Sequence, residues 1–207
     1  MEKTGHRNNS FREAVPERLL FVNGCVNRDR SRTLRLAKAL MDRIGAGQVD
    51  EIILEEAGLA PLDSARLLKR SELAEKGLFG DQEFAEARRY ASADVLVVAT
   101  PYWEHGFNAL TKIYLENVSQ LGIAFMYGDD GASQGLTRIA RAYYVTTRGG
   151  PTDDESDLGY GMFKKIMEMH GISDVRILSA KALDIVGNDP EAILGEAMSR
   201  IDSVVSG

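Results

Sequence analysis

The chain has 207 residues, of which 44% are hydrophobic and 27% charged, and its 25 basic and 31 acidic residues give a formal net charge of −6. This length and hydrophobic content suit one domain with a full core. The acidic balance argues against a dedicated nucleic-acid binder, which needs a basic surface to contact phosphates. We therefore expect no nucleic-acid partner.

Cys25 is the only cysteine, which excludes an intrachain disulfide and a multi-thiolate metal site. The three histidines show no metal-binding spacing, so we assign no metal. Residues 1–17 are polar without the apolar stretch of a signal peptide, and no segment is apolar for the roughly 18 residues that a membrane span needs. We expect a cytoplasmic protein without a membrane partner, comprising a flexible N-terminal extension over 1–17 and a single domain over 18–207.

Short apolar runs alternate with amphipathic segments five times along the chain. The predicted strands lie within 18–24, 49–55, 94–101, 137–147 and 175–183. The predicted helices cover 31–44, 81–93, 108–122, 157–170 and 190–205, and 56–80 is expected to be a surface loop with partial helix. This pattern predicts an α/β fold, a doubly wound five-stranded parallel sheet with helices on both faces.

Ligands of such sheets bind beyond the carboxyl ends of the strands, where the winding direction reverses. The first loop there, NGCVNRDRSRT, leads into a helix that opens with Ser31, Arg32 and Thr33, with Arg28 and Arg30 nearby. Free helix amides, hydroxyl groups and arginines together form an anion site that suits a phosphate. The alternative is that Ser31 is only a helix cap and the arginines are solvated. Neither a Walker lysine motif nor GxGxxG occurs here.

The loops after the third and fourth strands are also unusual. The segment PYWEH (101–105) places the only tryptophan beside a tyrosine, which suits a flat conjugated ligand. An aromatic lid on the core or a subunit contact is the alternative. The segment TTRGG (146–150) contains two glycines that would let backbone amides approach a ligand, or that form an ordinary turn.

In their order and spacing, these loops resemble the flavodoxin-like FMN-dependent NADH azoreductases and the related NAD(P)H:quinone oxidoreductases. PYWEHGFNALTKIYLENV (101–118) stands where that family has a Pro-Met-Tyr-Asn-Phe type segment. GIAFMYGDDG (122–131) matches its Gly-Val-Thr-Phe-Arg-Tyr type stretch, Thr-Arg-Gly-Gly (147–150) its Ser-Arg-Gly-Gly, and GISDV (171–175) its Gly-Ile-Thr-Asp-Val.

The resemblance implies a flavodoxin-like FMN-binding domain that takes electrons from NADH or NADPH. It further implies ping-pong transfer of two electrons to a small-molecule acceptor such as a quinone or an azo compound. By position, the resemblance assigns binding of the FMN phosphate to Ser31, Arg32 and Thr33, with Cys25 nearby in the same loop. It assigns binding of the flavin ring to residues of the second and third loops: Pro101, Tyr102, Trp103, Glu104, His105, Thr147, Arg148, Gly149 and Gly150.

The resemblance also implies a homodimer, in which Phe125 and Tyr127 overhang the neighbour's flavin and contact the substrate. His105 and Tyr127 are the candidate catalytic residues, as proton donors to the acceptor. Glu104 replaces an Asn that is common in the family, and a carboxylate there predicts a lowered flavin potential or a Glu104 side chain that takes up a proton. Two alternatives remain, a flavodoxin-like electron carrier and a regulatory protein of this fold without flavin.

Overall fold

The computed structural model describes residues 16–207. Residues 1–15, which make up most of the predicted N-terminal extension, lie outside the described part of the chain. Pro16 and Glu17 belong to that extension and are described, and their carbonyl groups accept hydrogen bonds from the amides of Gly47 and Gln48. Within 16–207, none of the helices is long and apolar enough to cross a lipid bilayer.

Within the described residues, nine strands form one central sheet and two small hairpins. The strands are β1 (Arg18–Asn23), β2 (Gln48–Ile53), β3 (Val95–Ala99), β4 (Tyr102–Trp103), β5 (Gly106–Phe107), β6 (Phe125–Tyr127), β7 (Ser133–Gly135), β8 (Arg141–Thr147) and β9 (Asp174–Ala180). The central sheet has the order β2-β1-β3-β8-β9 with every neighbour parallel. The predicted five-stranded parallel sheet is therefore confirmed.

Helices cover both faces of this sheet, as predicted. They are α1 (Arg32–Ile44), α2 (Ser64–Glu75), α3 (Ala85–Ala91), α4 (Ala109–Val118), α5 (Leu158–Met169), α6 (Pro190–Ser199) and α7 (Ile201–Ser206). Because side chains alternate along a strand, β1 serves two cores. Leu20 and Val22 pack with α3, α4 and α5, whereas Leu19 and Phe21 pack with α1, α6 and α7. Burying each of these side chains contributes about 1.5–3 kcal/mol to the free energy of unfolding.

The local signals of the sequence set most helix boundaries. Ser31 caps α1 by accepting a hydrogen bond from the Leu34 amide, and Gly45 ends it in the left-handed conformation at φ 67°. The predicted surface segment 56–80 contains a full 12-residue helix, α2, capped by Asp63.

Three predicted elements are divided or shortened in the structure. Asp81 caps a short 3-10 turn, Gln82–Phe84, that leads into α3. The helix predicted over 108–122 ends at Val118, four residues early, because the chain then turns into the hairpin of β6 and β7. The last predicted helix breaks at Arg200 into α6 and α7.

The strand order places the reversal of winding between β1 and β3. From β1 the chain crosses to β2 on one side, and the later strands β3, β8 and β9 follow on the other side. The loops after β1 and β3 consequently leave the sheet in opposite directions and open a crevice at its carboxyl edge. The candidate site lies in that crevice.

Candidate functional site

A cleft of about 460 Å³ opens at the carboxyl edge of the sheet, where the loops after β1, β3 and β8 meet the segment after β9. Ten of the thirteen predicted cofactor-binding residues line it: Cys25, Ser31, Arg32, Thr33, Pro101, Tyr102, Trp103, Thr147, Arg148 and Gly149. Glu104, His105 and Gly150 lie outside the lining. The size of the cleft is typical of a site for a small organic ligand.

The first turn of α1 forms one end of the cleft. The Ser31 hydroxyl is used as a cap, accepting from the Leu34 amide at 3.1 Å. The amides of Arg32 and Thr33 make no hydrogen bond to residues 16–207. The two interpretations of Ser31 are therefore compatible, because the cap leaves two helix amides free for an anion.

The arginines of the first loop have different partners. Arg28 is paired with Glu55 and Glu56 away from the cleft. Arg32 lines the cleft but is bonded to Asp184 at 2.8 Å. Arg30 also lines the cleft, and its side chain makes no hydrogen bond within the described part of the chain. Arg30 is thus the cation best placed to meet a bound anion.

Cys25 supports the first loop rather than supplying a reactive group. Its side chain is buried, with Sγ 3.7 Å from the Ala99 carbonyl oxygen, and its amide donates to Asn23 Oδ1 at 3.0 Å. Burial raises the pKa of the Cys25 thiol to about 11, so the sulfur stays protonated at neutral pH.

Asn108, which sequence reasoning did not single out, joins the first and second loops. Its Nδ2 donates to the Gly24 carbonyl oxygen at 2.6 Å, while its Oδ1 caps α4 through the Thr111 amide. Gly24 has no room for a side chain, because a Cβ there would lie 2.6 Å from Thr111 Oγ1. An Asn directly before the helical pattern was the available signal.

The second loop is a hairpin of β4 and β5 that the sequence analysis did not predict. Its two turn residues, Glu104 and His105, have φ values of 46° and 67°, as in the primed turns that join twisted strands. Tyr102 and Trp103 line the cleft, and Glu104 and His105 stand exposed at the tip. His105 Nδ1 lies 3.4 Å from the Tyr102 hydroxyl, and the His105 carbonyl accepts from the Leu158 amide.

The third loop borders the cleft between the first turn of α1 and the hairpin. Thr147 Oγ1 lies 2.6 Å from Thr33 Oγ1, which joins β8 to the first turn of α1. The carbonyls of Gly149 and Gly150 accept hydrogen bonds from the amides of Asp184 and Ala182. A Cβ at Gly149 would collide with the Asp184 carboxylate, whereas one at Gly150 would meet open space. Packing against Asp184 is therefore one reason for a glycine at position 149.

The remaining predicted residues lie elsewhere. Phe125 is buried and stacks on His170, with ring centroids 5.7 Å apart, and Tyr127 is exposed on the same hairpin. Neither lines the cleft of its own chain. Among residues 16–207, no group of three or more histidine, cysteine or acidic side chains is placed to hold a metal ion.

Residues 17–205 match the model of the family Flavodoxin_2, which is described by its flavodoxin-like fold. The chain belongs to this family. The predicted flavodoxin-like fold is therefore confirmed, and the cleft lies at the switch point where this fold binds its ligands.

Curated relatives of this flavodoxin-like protein include proteins named FMN-dependent NADH:quinone oxidoreductase. The protein of that name from Clostridium beijerinckii is 35% identical over 55% of this chain and 58% of its own length. The one from Clostridium perfringens is 27% identical over 90% of this chain and 97% of its own. The chain thus aligns with about three fifths of the first relative and nearly all of the second.

Solved structures show the same fold at lower identity. An azoreductase from Bacillus anthracis superposes with a TM-score of 0.76 at 17% identity, covering 90% of this chain and 97% of the other. An FMN-dependent NADH-azoreductase from the same species, in complex with FMN, gives 0.76 at 19% identity, covering 92% and 98%. The family match, the curated relatives and these structures together confirm the resemblance predicted from the loops.

Proposed function

We propose that this protein is an FMN-dependent oxidoreductase that transfers two electrons from NADH or NADPH to a quinone, an azo compound or a related acceptor. One observation carries the proposal. The cleft at the switch point combines an anion-binding end on α1 with an aromatic end on the β4–β5 hairpin, as a phosphate joined to a flat conjugated ring requires. The names of the relatives support the same assignment.

The α1 end suits the phosphate of FMN. The free amides of Arg32 and Thr33, the hydroxyl of Thr33 and the side chain of Arg30 all lie in its lining. A helix N-terminus favours a dianion through its partial positive charge, and an arginine adds a charged donor. Within residues 16–207, no carboxylate pairs with Arg30, so its guanidinium group is available to a bound phosphate.

The opposite end suits an isoalloxazine ring. Tyr102 and Trp103 supply flat apolar walls. The carbonyls of Gly149 and Gly150 are held by Asp184 and Ala182, while their amides make no hydrogen bond to described residues. Backbone amides in this position can donate to the oxygen and nitrogen atoms at the pyrimidine edge of a flavin.

Bound FMN would supply the redox chemistry by accepting two electrons from the nicotinamide and passing them to the acceptor in a second half-reaction that uses the same cleft. The chain orients both substrates in turn and limits water at the ring. His105, beside the Tyr102 hydroxyl at the rim, is our candidate for giving a proton to the acceptor. Tyr127 is the second candidate, reaching the cleft of a neighbouring chain.

We propose that the protein is a homodimer in which each chain completes the other's site. Trp103 is 50% exposed although it lines the cleft, and Tyr127 is 57% exposed on its hairpin. Leu158 and Met162 on α5 are also exposed, and Leu158 adjoins the tip of the β4–β5 hairpin through its hydrogen bond to His105. A second copy of the chain would cover these apolar side chains.

An anaerobic titration tests the function. The purified chain is loaded with FMN, reduced with NADH and then mixed with a benzoquinone while its visible absorbance is followed. Bleaching by NADH and recovery of the colour with the quinone are the expected results. Bound FMN that NADH leaves oxidised would contradict the proposal in favour of an electron carrier, and a chain that takes up no FMN would contradict it in favour of a flavin-free regulatory protein.

A further inference from the structure

Arg148 lines the cleft, yet its guanidinium group is directed into the protein. Its side chain has no exposed surface. Nη2 and Nε both donate to Asp157 Oδ2, at 2.7 and 3.3 Å, and Nη1 donates to Asp154 Oδ1 at 2.6 Å and to the Thr152 carbonyl at 3.3 Å. Four of the five guanidinium hydrogens are used in this way, so little of the group remains for a ligand.

The two carboxylates that hold Arg148 are themselves bonded to α5 and to β9. Asp157 caps α5 through the Tyr160 amide at 3.0 Å. Asp154 also accepts from the Ser179 hydroxyl at 2.6 Å, at the end of β9. The guanidinium group therefore joins the end of β9 and the start of α5 to the loop that follows β8.

Arg148 also contacts the aromatic wall directly. Its guanidinium carbon lies 5.4 Å from the centre of the Tyr102 ring, within the range of a cation–π interaction. Tyr102 lines the cleft. A single buried cation thereby contacts the aromatic wall of the cleft through Tyr102 and belongs to the third loop through its own backbone.

The backbone of this loop is held on the same side. The amide of Arg148 donates to the Ala180 carbonyl at 2.8 Å, and its carbonyl accepts from the Leu183 amide at 3.1 Å. Gly149 follows with its carbonyl bonded to the Asp184 amide. If the side chain lost its partners, the segment 149–157 would be anchored at this end by backbone hydrogen bonds alone.

We infer that Arg148 is a positioning residue, which sets the Tyr102 ring and the amides of Gly149 and Gly150 for the flavin without touching the flavin through its own side chain. This inference rests on the proposed function. It assigns Arg148 a role that a lysine cannot fill, because an ammonium group lacks the planar fork that pairs with two carboxylates while lying over a ring.

The chain offers a matched control in Arg70. Its side chain is also buried, with its guanidinium carbon 5.1 Å from the Phe84 ring and hydrogen bonds to Gln120 and the Asn117 carbonyl. Arg70 lies outside the lining of the cleft. Arg70→Lys thus makes the same chemical change in a similar environment away from the site.

The experiment compares wild type, Arg148→Lys and Arg70→Lys as FMN-loaded proteins. The readouts are the FMN dissociation constant by fluorescence quenching, the visible circular dichroism of the bound flavin and the urea midpoint. We expect both variants to lose stability, and only Arg148→Lys to bind FMN about tenfold more weakly with an altered dichroism spectrum. FMN affinity within twofold of wild type with an unchanged spectrum would overturn the inference.

Tyr102 provides a second test should Arg148→Lys fail to fold. Tyr102→Phe keeps the ring over the guanidinium group and is expected to preserve the dichroism spectrum of bound FMN, whereas Tyr102→Leu removes the ring and is expected to change it. Equal spectra for Tyr102→Leu and wild type would overturn the inference. A wild-type chain that binds no FMN would refute the proposed function itself, whereas normal FMN binding by both wild type and Arg148→Lys would refute this inference alone.

Discussion

The hydroxyl oxygens of Thr33 and Thr147 lie 2.6 Å apart and join the first turn of α1 to the end of β8 across the floor of the cleft. Either hydroxyl can be the donor in this pair. The proton of the other hydroxyl therefore remains available to a ligand that lies between the phosphate end and the ring end.

We predict that Thr147→Val weakens FMN binding by about three- to tenfold, because it removes both the bond to Thr33 and a possible donor to the ligand. The preceding residue gives the control. The buried hydroxyl of Thr146 has no hydrogen-bond partner among the described residues, so Thr146→Val should leave FMN affinity unchanged and keep or raise stability. Equal losses of affinity in the two variants, measured by fluorescence titration, would count against a role for the Thr147 hydroxyl.

Arg30 should distinguish FMN from riboflavin. Arg30→Gln removes the cleft arginine that has no partner within residues 16–207, and we expect FMN to bind roughly three- to tenfold more weakly because a charged hydrogen bond to the phosphate is lost. Riboflavin, which has no phosphate, should bind as before.

Arg28→Gln is the matched control for this prediction. Arg28 is paired with Glu55 and Glu56 outside the cleft. Its replacement should therefore change the affinities for FMN and for riboflavin by no more than about twofold. If Arg30→Gln weakened FMN and riboflavin equally, the phosphate would not be the group that Arg30 contacts.

The turn Glu104-His105 is strained because both residues have positive φ. Asn-Gly is the pair that suits such a turn, so Glu104→Asn with His105→Gly should stabilise the chain by about 1–2 kcal/mol and raise Tm by a few degrees. If His105 donates a proton to the acceptor, the same change slows quinone reduction without slowing reduction by NADH. A lower Tm would show that the turn is not strained, and unchanged quinone kinetics would remove His105 as a catalytic residue.

His170 should make stability depend on pH. Burial lowers the pKa of His170 from 6.5 to about 4, so between these values the unfolded chain binds more protons than the folded chain. The free energy of unfolding should therefore fall as the pH is lowered from about 6.5 to about 4, by up to about 1.4 kcal/mol per pH unit, and this contribution should be fully present above that range.

Urea unfolding at several pH values measures this dependence. His170→Gln should flatten the slope above pH 4. The Asp50 carboxylate, whose pKa is lowered to about 2 chiefly by its hydrogen bond with Arg89, contributes stability that is lost only below about pH 4. An unchanged slope in His170→Gln would contradict the prediction.

Two negative charges introduced on the exposed face of α5 should dissociate the proposed homodimer into monomers. Leu158 and Met162 are one helical turn apart and exposed, and Leu158→Glu with Met162→Glu should yield a monomer by light scattering because burying two carboxylates in an interface is unfavourable. FMN binding should weaken in parallel if the partner completes the site. Val186→Glu, at a fully exposed residue outside the cleft lining, is the control. A wild-type chain that is itself monomeric would exclude the homodimer.

The local pattern of the sequence determined the strands of the central sheet and the helices beside them, and it placed the candidate site at the carboxyl edge of the sheet. Apolar runs predicted all five strands of the sheet, and Ser31 and Gly45 marked the ends of α1, because caps and strand burial depend on neighbouring residues. Parallel strands bring their carboxyl ends to one edge. The loops that follow them could therefore be assigned to the cleft before the fold was known.

Only the tertiary structure decided what each side chain does there. Arg28 pairs with Glu55, 27 positions away, and Arg32 pairs with Asp184, 152 positions away. These pairs leave Arg30 for a ligand. Burial likewise leaves the Arg148 side chain without exposed surface although the residue lines the cleft, and it packs Phe125 away from the cleft of its own chain. Periodicity carries no information about such partners, because ion pairing and burial depend on which distant segments the fold brings together.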